Sequence, residues 1–141
     1  MCTKVFRKVI TNVKSLCFAV ALVECNQTVD RSRIEGKWRK YDQGSDPAIL
    51  VKHLEGKGTG WCTASGSAPA HLKGGDFHVY YTKDTQGTYT VPRVAIRMLD
   101  GQIREIRGIA PRQELEPQFV EVVEQKGNQL PGYDNFKKAS A

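Results

Sequence analysis

A chain of 141 residues, 40% hydrophobic and 26% charged, can bury a core without disulfides and has the balance of an ordinary globular domain. The longest apolar run, Leu16–Val23, is too short to span a bilayer, so no transmembrane segment is expected. The net charge of +6 is localised: residues 1–40 hold nine Lys or Arg against three acids, and the rest of the chain carries 12 of each. A basic end of this kind suits contact with nucleic acid or another polyanion, or serves as a solvated face.

The four cysteines, Cys2, Cys17, Cys25 and Cys62, form no CxxC pair, and His53, His71 and His78 do not fall at zinc-finger intervals. No metal site and no cofactor are expected, and reduced thiols fit a cytoplasmic protein. Val5, Val9, Val13, Leu16, Val20 and Val23 recur at three- and four-residue steps, which predicts an amphipathic helix over about 3–24. Glu24, where a signal peptidase needs a small residue, argues against a leader ending at Cys25. Residues 26–57 begin as a basic loop with a short helix around Arg31–Lys40. Asp46 and Pro47 then open a helix through Leu54, which the glycines at 56, 58 and 60 end.

Gly58-Thr-Gly-Trp-Cys-Thr-Ala is the richest segment chemically. Its glycines allow a tight turn or the close approach of a ligand. Cys62 is expected on a loop, followed by a helical turn at Pro69–Leu72 that Gly74-Gly75 stops. His71 or His78 is a candidate base for Cys62 and Asp76 a candidate orienting acid, the constellation a thiol nucleophile requires. A buried structural Cys62 and a core Trp61 are the plainer readings.

From Asp76 the period becomes two: Phe77, Val79 and Tyr81 point one way, His78, Tyr80 and Thr82 the other, as in a strand. Tyr89–Leu99 forms a second strand, with Pro92 marking an edge or bulge. Asp100-Gly101 predicts a type I′ hairpin to a third strand, Gln102–Ile109. A regular ladder from that turn sets Met98 against Ile103, Arg97 against Arg104 and Ile96 against Glu105. Directly opposed arginines need an acidic neighbour, a bound anion or room to splay. Pro111 is expected to open a last helix carrying Leu115, Phe119, Val120 and Val123, closed by Gly127, with 128–141 as a frayed tail.

The expected fold is α+β in a single domain over 1–141: an amphipathic helix (1–25), a basic loop and helix region (26–57), the Gly/Cys loop, sheet and last helix (58–127), and the tail (128–141). The sheet is a small antiparallel one of three strands or more, packed by N-terminal and C-terminal helices and covered on one face. Trp61-Cys62-Thr63-Ala64, the strands Phe77–Thr82 and Val94–Met98, and Ile103-x-x-Ile106-Arg107-Gly108 together resemble the core of the PcfJ-like proteins of plasmids and phages, over roughly 58–125. Cys62-Thr63 stands where that family more often has Cys-Val. The resemblance implies a mobile-element context and proximity to nucleic acid.

Two functions follow as expectations. In the first, a nucleic-acid-binding accessory domain uses its basic N-terminal region and a strand face bearing Arg93, Arg97 and Arg104, with Trp61, Thr63 and Tyr80 as further contacts. In the second, a small enzyme acts on an anionic substrate with Cys62 as nucleophile. No Walker loop, dinucleotide fingerprint, HExxH, GxSxG or EF-hand pattern occurs.

Overall fold

The computed structural model describes residues 31–139; the helix expected over 3–24 and the cations Lys4, Arg7, Lys8 and Lys14 lie outside the described residues. A four-stranded antiparallel meander carries the fold: β1 (Gly36–Tyr41), β2 (Phe77–Lys83), β3 (Tyr89–Leu99) and β4 (Gln102–Arg107), in spatial order β1-β2-β3-β4. The fold is therefore α+β, with one strand more than the three read from the sequence. A short helix, α1 (Arg31–Ile34), precedes β1. Between β1 and β2 lie α2 (Pro47–Leu54), a 3-10 turn (Cys62–Ala64) and α3 (Ala68–Gly74). After β4 come a 3-10 turn (Pro117–Phe119), α4 (Val120–Gly127) and α5 (Tyr133–Ala139).

Local chemistry explains the well-formed elements. The Asp46 carboxylate caps α2 by accepting from Ala48 N at 3.0 Å, and Pro47 fixes its first turn. Asp100 and Gly101 both take positive φ, 52° and 78°, which a type I′ turn demands at its two central positions. Pro92 sits opposite Tyr81 at a break in the β2–β3 register, the bulge that its missing N–H favours.

The sheet is covered on both faces, not one. Tyr80, Val94, Ile96, Met98 and Ile103 form one face, against Phe119, Val120 and Val123 of the C-terminal segment. Tyr41, Phe77, Val79 and Ala95 form the other, beneath Leu50 and Leu54 of α2 and Leu72 of α3. Those three leucines are fully buried, and at about 1.5–3 kcal/mol each they fasten the inserted layer to the sheet.

Three expectations are corrected. Residues 36–41 are a strand rather than loop or helix: Trp38 packs on Tyr80, with ring centroids 5.2 Å apart, while Tyr41 enters the opposite core. The helix expected from Pro111 starts later, with the 3-10 turn at Pro117 running into α4 at Val120, because 108–116 folds back as a loop in which Ala110 N donates to Thr59 O at 2.9 Å. The segment taken for a frayed tail holds α5, whose Tyr133 is buried against Gly127.

The β3–β4 register is the correction that shapes the site. Leu99 faces Gln102 and Met98 faces Ile103 as expected, but a bulge at Arg104 then sets Arg97 against Glu105, Ile96 against Ile106 and Ala95 against Arg107. One extra residue turns every later side chain to the other face. Ile106 thereby joins the C-terminal core, and Glu105 and Arg107 move to the face beneath α3. The opposed pair Arg97–Arg104 does not form.

Candidate functional site

Cross-strand partners share a face, so Phe77, Arg97 and Glu105 form one row across β2, β3 and β4, and Val79, Ala95 and Arg107 the next. Above these rows, between the sheet and the Cys62 turn, opens a cleft of about 290 Å³. Phe77, Ala95 and Trp61 give it an apolar base, while Cys62, Thr63 and His71 line one side. Arg97, Glu105 and Arg107 line the other, and Gly60 and Gln113 close one end.

Hydrogen bonds pin the Cys62 turn to the loop after β4. Trp61 Nε1 donates to Gly108 O at 2.8 Å, Gln113 Nε2 to Gly60 O at 2.7 Å, and Arg107 to Gln113 Oε1 at 2.7 Å. Two glycines permit this approach. Gly60 has φ of 76°, and a Cβ on it would meet Gln113 Nε2 at 2.8 Å; a Cβ on Gly108 would overlap the Glu114 carbonyl oxygen.

Glu105 receives both arginines, Arg97 at 2.9 Å and Arg107 at 2.5 Å. Burial alone would push its carboxyl up, but the hydrogen bonds from Arg107 and Arg97 outweigh that and hold it below the ordinary carboxylate range. The charges along this wall sum to one positive.

Three buried polar atoms of cleft residues make no hydrogen bond within the described residues: Thr63 Oγ1, His71 Nδ1 and Arg97 Nε. Thr63 is 1% exposed. Leaving one such group unmet costs about 1–3 kcal/mol, a cost that a bound water or ligand would relieve. His71 packs edge-on to Phe77, with centroids 6.3 Å apart. Burial, then the charge of Arg97, push its imidazole below the usual histidine range against a weaker upward pull from Glu105, which keeps it neutral and basic near pH 7. Cys62 is exposed at the mouth.

The structure thus gathers Trp61, Cys62, Thr63, His71 and Arg97 and separates the other predicted site residues from them. Asp76 accepts from Gln43 N at 2.6 Å and pairs with Lys40 at 3.6 Å, outside the cleft, so it does not orient a base for Cys62. His78 is 2% exposed and belongs with Tyr80 to the opposite face of β2. Burial and then the charge of Lys126 push His78 down to about 4. Tyr80 is buried, its hydroxyl donating to Ile34 O at 2.6 Å, and Trp61 is 7% exposed with its indole N–H occupied. Neither presents a face on which a base could stack. Arg93 donates to Thr82 Oγ1 at 3.0 Å, and Arg104 is exposed in the bulge; neither lines the cleft.

Glu105, Arg107 and Gln113 were not among the residues singled out from the sequence. The signal for the first two lay in Ile103 and Ile106. Apolar residues three apart cannot share a face of a regular strand, so keeping both in the core requires an extra residue between them.

No family model, curated protein or solved structure matches the chain. Among the described residues no helix is long and apolar enough to cross a membrane, and no group of three or more His, Cys, Asp or Glu is placed to hold a metal ion.

Proposed function

We propose that the chain is a small cysteine-dependent enzyme that transfers or hydrolyses the acyl group of an anionic substrate in this cleft. The observation that carries the reading is the meeting of an exposed thiol, an imidazole whose Nδ1 makes no hydrogen bond, and a guanidinium in one concave site. Cys62 Sγ adds to the acyl carbonyl as its proton passes to His71; collapse expels the leaving group, which takes that proton and leaves a thioester on Cys62. Water deprotonated by His71 then cleaves the thioester, releasing the acid and restoring the thiol. Incubation of the full chain with p-nitrophenyl acetate, followed by peptide mass spectrometry, tests it. Acetylation at Cys62 that His71→Asn suppresses is expected. Acetylation confined to other cysteines, or indifferent to His71, removes the reading.

A second reading, contact with nucleic acid or another polyanion, is favoured by the edge strand β1. Its Lys37 and Arg39 are exposed on one face, over the rings of Tyr89 and Tyr41, with Lys83 over the same Tyr89 ring. The likeness to PcfJ-like proteins sits with this second reading. Anisotropy titrations with labelled DNA and RNA over a range of salt test it. Binding that weakens steeply with salt and falls in Lys37→Ala/Arg39→Ala supports it, and no binding at low salt removes it.

A further inference from the structure

We infer that the cleft selects a compact substrate carrying a single carboxylate, held by Thr63 Oγ1 and Arg97 Nε over the Phe77–Ala95 base. The inference rests on the reading of Cys62 as the reacting group and names the class of molecule that group meets.

The first argument is the supply of donors. Arg97 spends one of its two terminal amino groups, Nη1, on Glu105 at 2.9 Å, while its Nε, buried in the wall, donates to nothing among the described residues. The Thr63 hydroxyl, in a residue 1% exposed, is likewise unmatched. These two buried donors match the two oxygens of a carboxylate. A phosphate monoester would bring three terminal oxygens and close to two negative charges.

The second argument is charge. Arg97 and Arg107 are balanced by one carboxylate, Glu105, and His71 is held neutral by its burial, so the lining offers one net positive charge. A monoanion neutralises it. A dianion would leave excess negative charge facing the Glu105 carboxylate in a partly desolvated site.

The third argument is shape. Phe77, Ala95 and Trp61 supply apolar surface beside the polar wall, and about 290 Å³ lies at the small end of ligand sites. The molecule that fits has a short apolar body, one carboxylate and a reactive acyl carbon within reach of Cys62.

The test compares two alkylating agents of the same size and chemistry, iodoacetate and iodoacetamide, on the full chain, with modification at Cys62 quantified by peptide mass spectrometry. The reference is the iodoacetate-to-iodoacetamide rate ratio at Cys62 in the urea-unfolded chain. In the folded protein the ratio should rise by about tenfold or more, the worth of one charge-assisted hydrogen bond. It should fall well towards the reference in Thr63→Val and in Arg97→Lys, which keeps the charge but lacks Nε. Far-UV circular dichroism establishes that both variants are folded. Sodium butyrate should slow the iodoacetate reaction and inorganic phosphate should not. A Cys62 that reacts faster when folded, with the ratio unchanged from the reference, overturns the carboxylate inference and leaves the enzyme reading standing. Protection by phosphate equal to that by butyrate overturns the single-charge assignment. A Cys62 slower when folded with both reagents overturns both.

Discussion

Thr63→Val separates a residue kept for function from one kept for the fold. Thr63 is 1% exposed and its hydroxyl meets no partner among the described residues, so the folded state carries the cost of desolvating a polar group without return. Valine has the same branched shape and replaces that oxygen by a methyl group. The substitution should therefore stabilise the protein by about 1 kcal/mol, at the cautious end of the 1–3 kcal/mol scale for an unmet hydrogen-bonding group. For a chain of this length that is a rise in melting temperature of about 4 °C. Differential scanning calorimetry at neutral pH measures it, with urea unfolding as a check that the slope against denaturant stays constant. The same variant should lose the preference of Cys62 for iodoacetate. Stability gained while ligand recognition is lost is the mark of a site residue. A fall in melting temperature of several degrees would refute the reasoning, because it would mean that the hydroxyl supports the fold.

Other consequences can be checked separately. Unfolded His78 binds a proton near pH 6.5 and folded His78 only near 4, so protonation favours the unfolded chain. The contribution of His78 is complete above pH 6.5 and is lost as pH falls towards 4, about 3 kcal/mol in all by urea titration; His78→Gln should flatten that dependence. Glu105→Gln should cost at most about 1 kcal/mol, since its arginine partners are 25% and 52% exposed and solvent screens the pairs. It should also let inorganic phosphate compete with iodoacetate at Cys62, because the lining then carries two net positive charges. Gly108→Ala should destabilise by about 1–3 kcal/mol in denaturant titration, with the new Cβ set against the Glu114 carbonyl.

Much of the scaffold was legible because local chemistry dictates it. Asp46-Pro47 favours a helix start before an apolar run, and Asp100-Gly101 favours a two-residue hairpin turn, each through contacts local in sequence. β1 was missed because Gly36–Tyr41 has charges at 37, 39 and 40. Only pairing with β2 makes a strand of it, and that information is not local. Of the site, Trp61, Cys62, Thr63, His71 and Arg97 were singled out, but of the three partners proposed for Cys62 only His71 lines the cleft. His78 is seven residues from His71 and lies on the other side of the sheet, a separation that spacing along the chain cannot express. A regular ladder puts Glu105, and with it Arg107 two residues on, on the wrong face for one reason, the bulge at Arg104. A regular register would have buried both charges in the C-terminal core and expelled Ile106, and the bulge removes that conflict.

The central claim is that Cys62 and His71 work together in the folded cleft. Its most direct test is the rate of Cys62 modification by iodoacetamide at pH 7, measured in the folded chain, in the unfolded chain and in His71→Asn. Faster reaction in the folded chain, with the gain lost in His71→Asn, is what a neutral imidazole acting on the thiol predicts. Equal rates in the folded chain and in His71→Asn would show that the two side chains share a cleft without sharing a reaction.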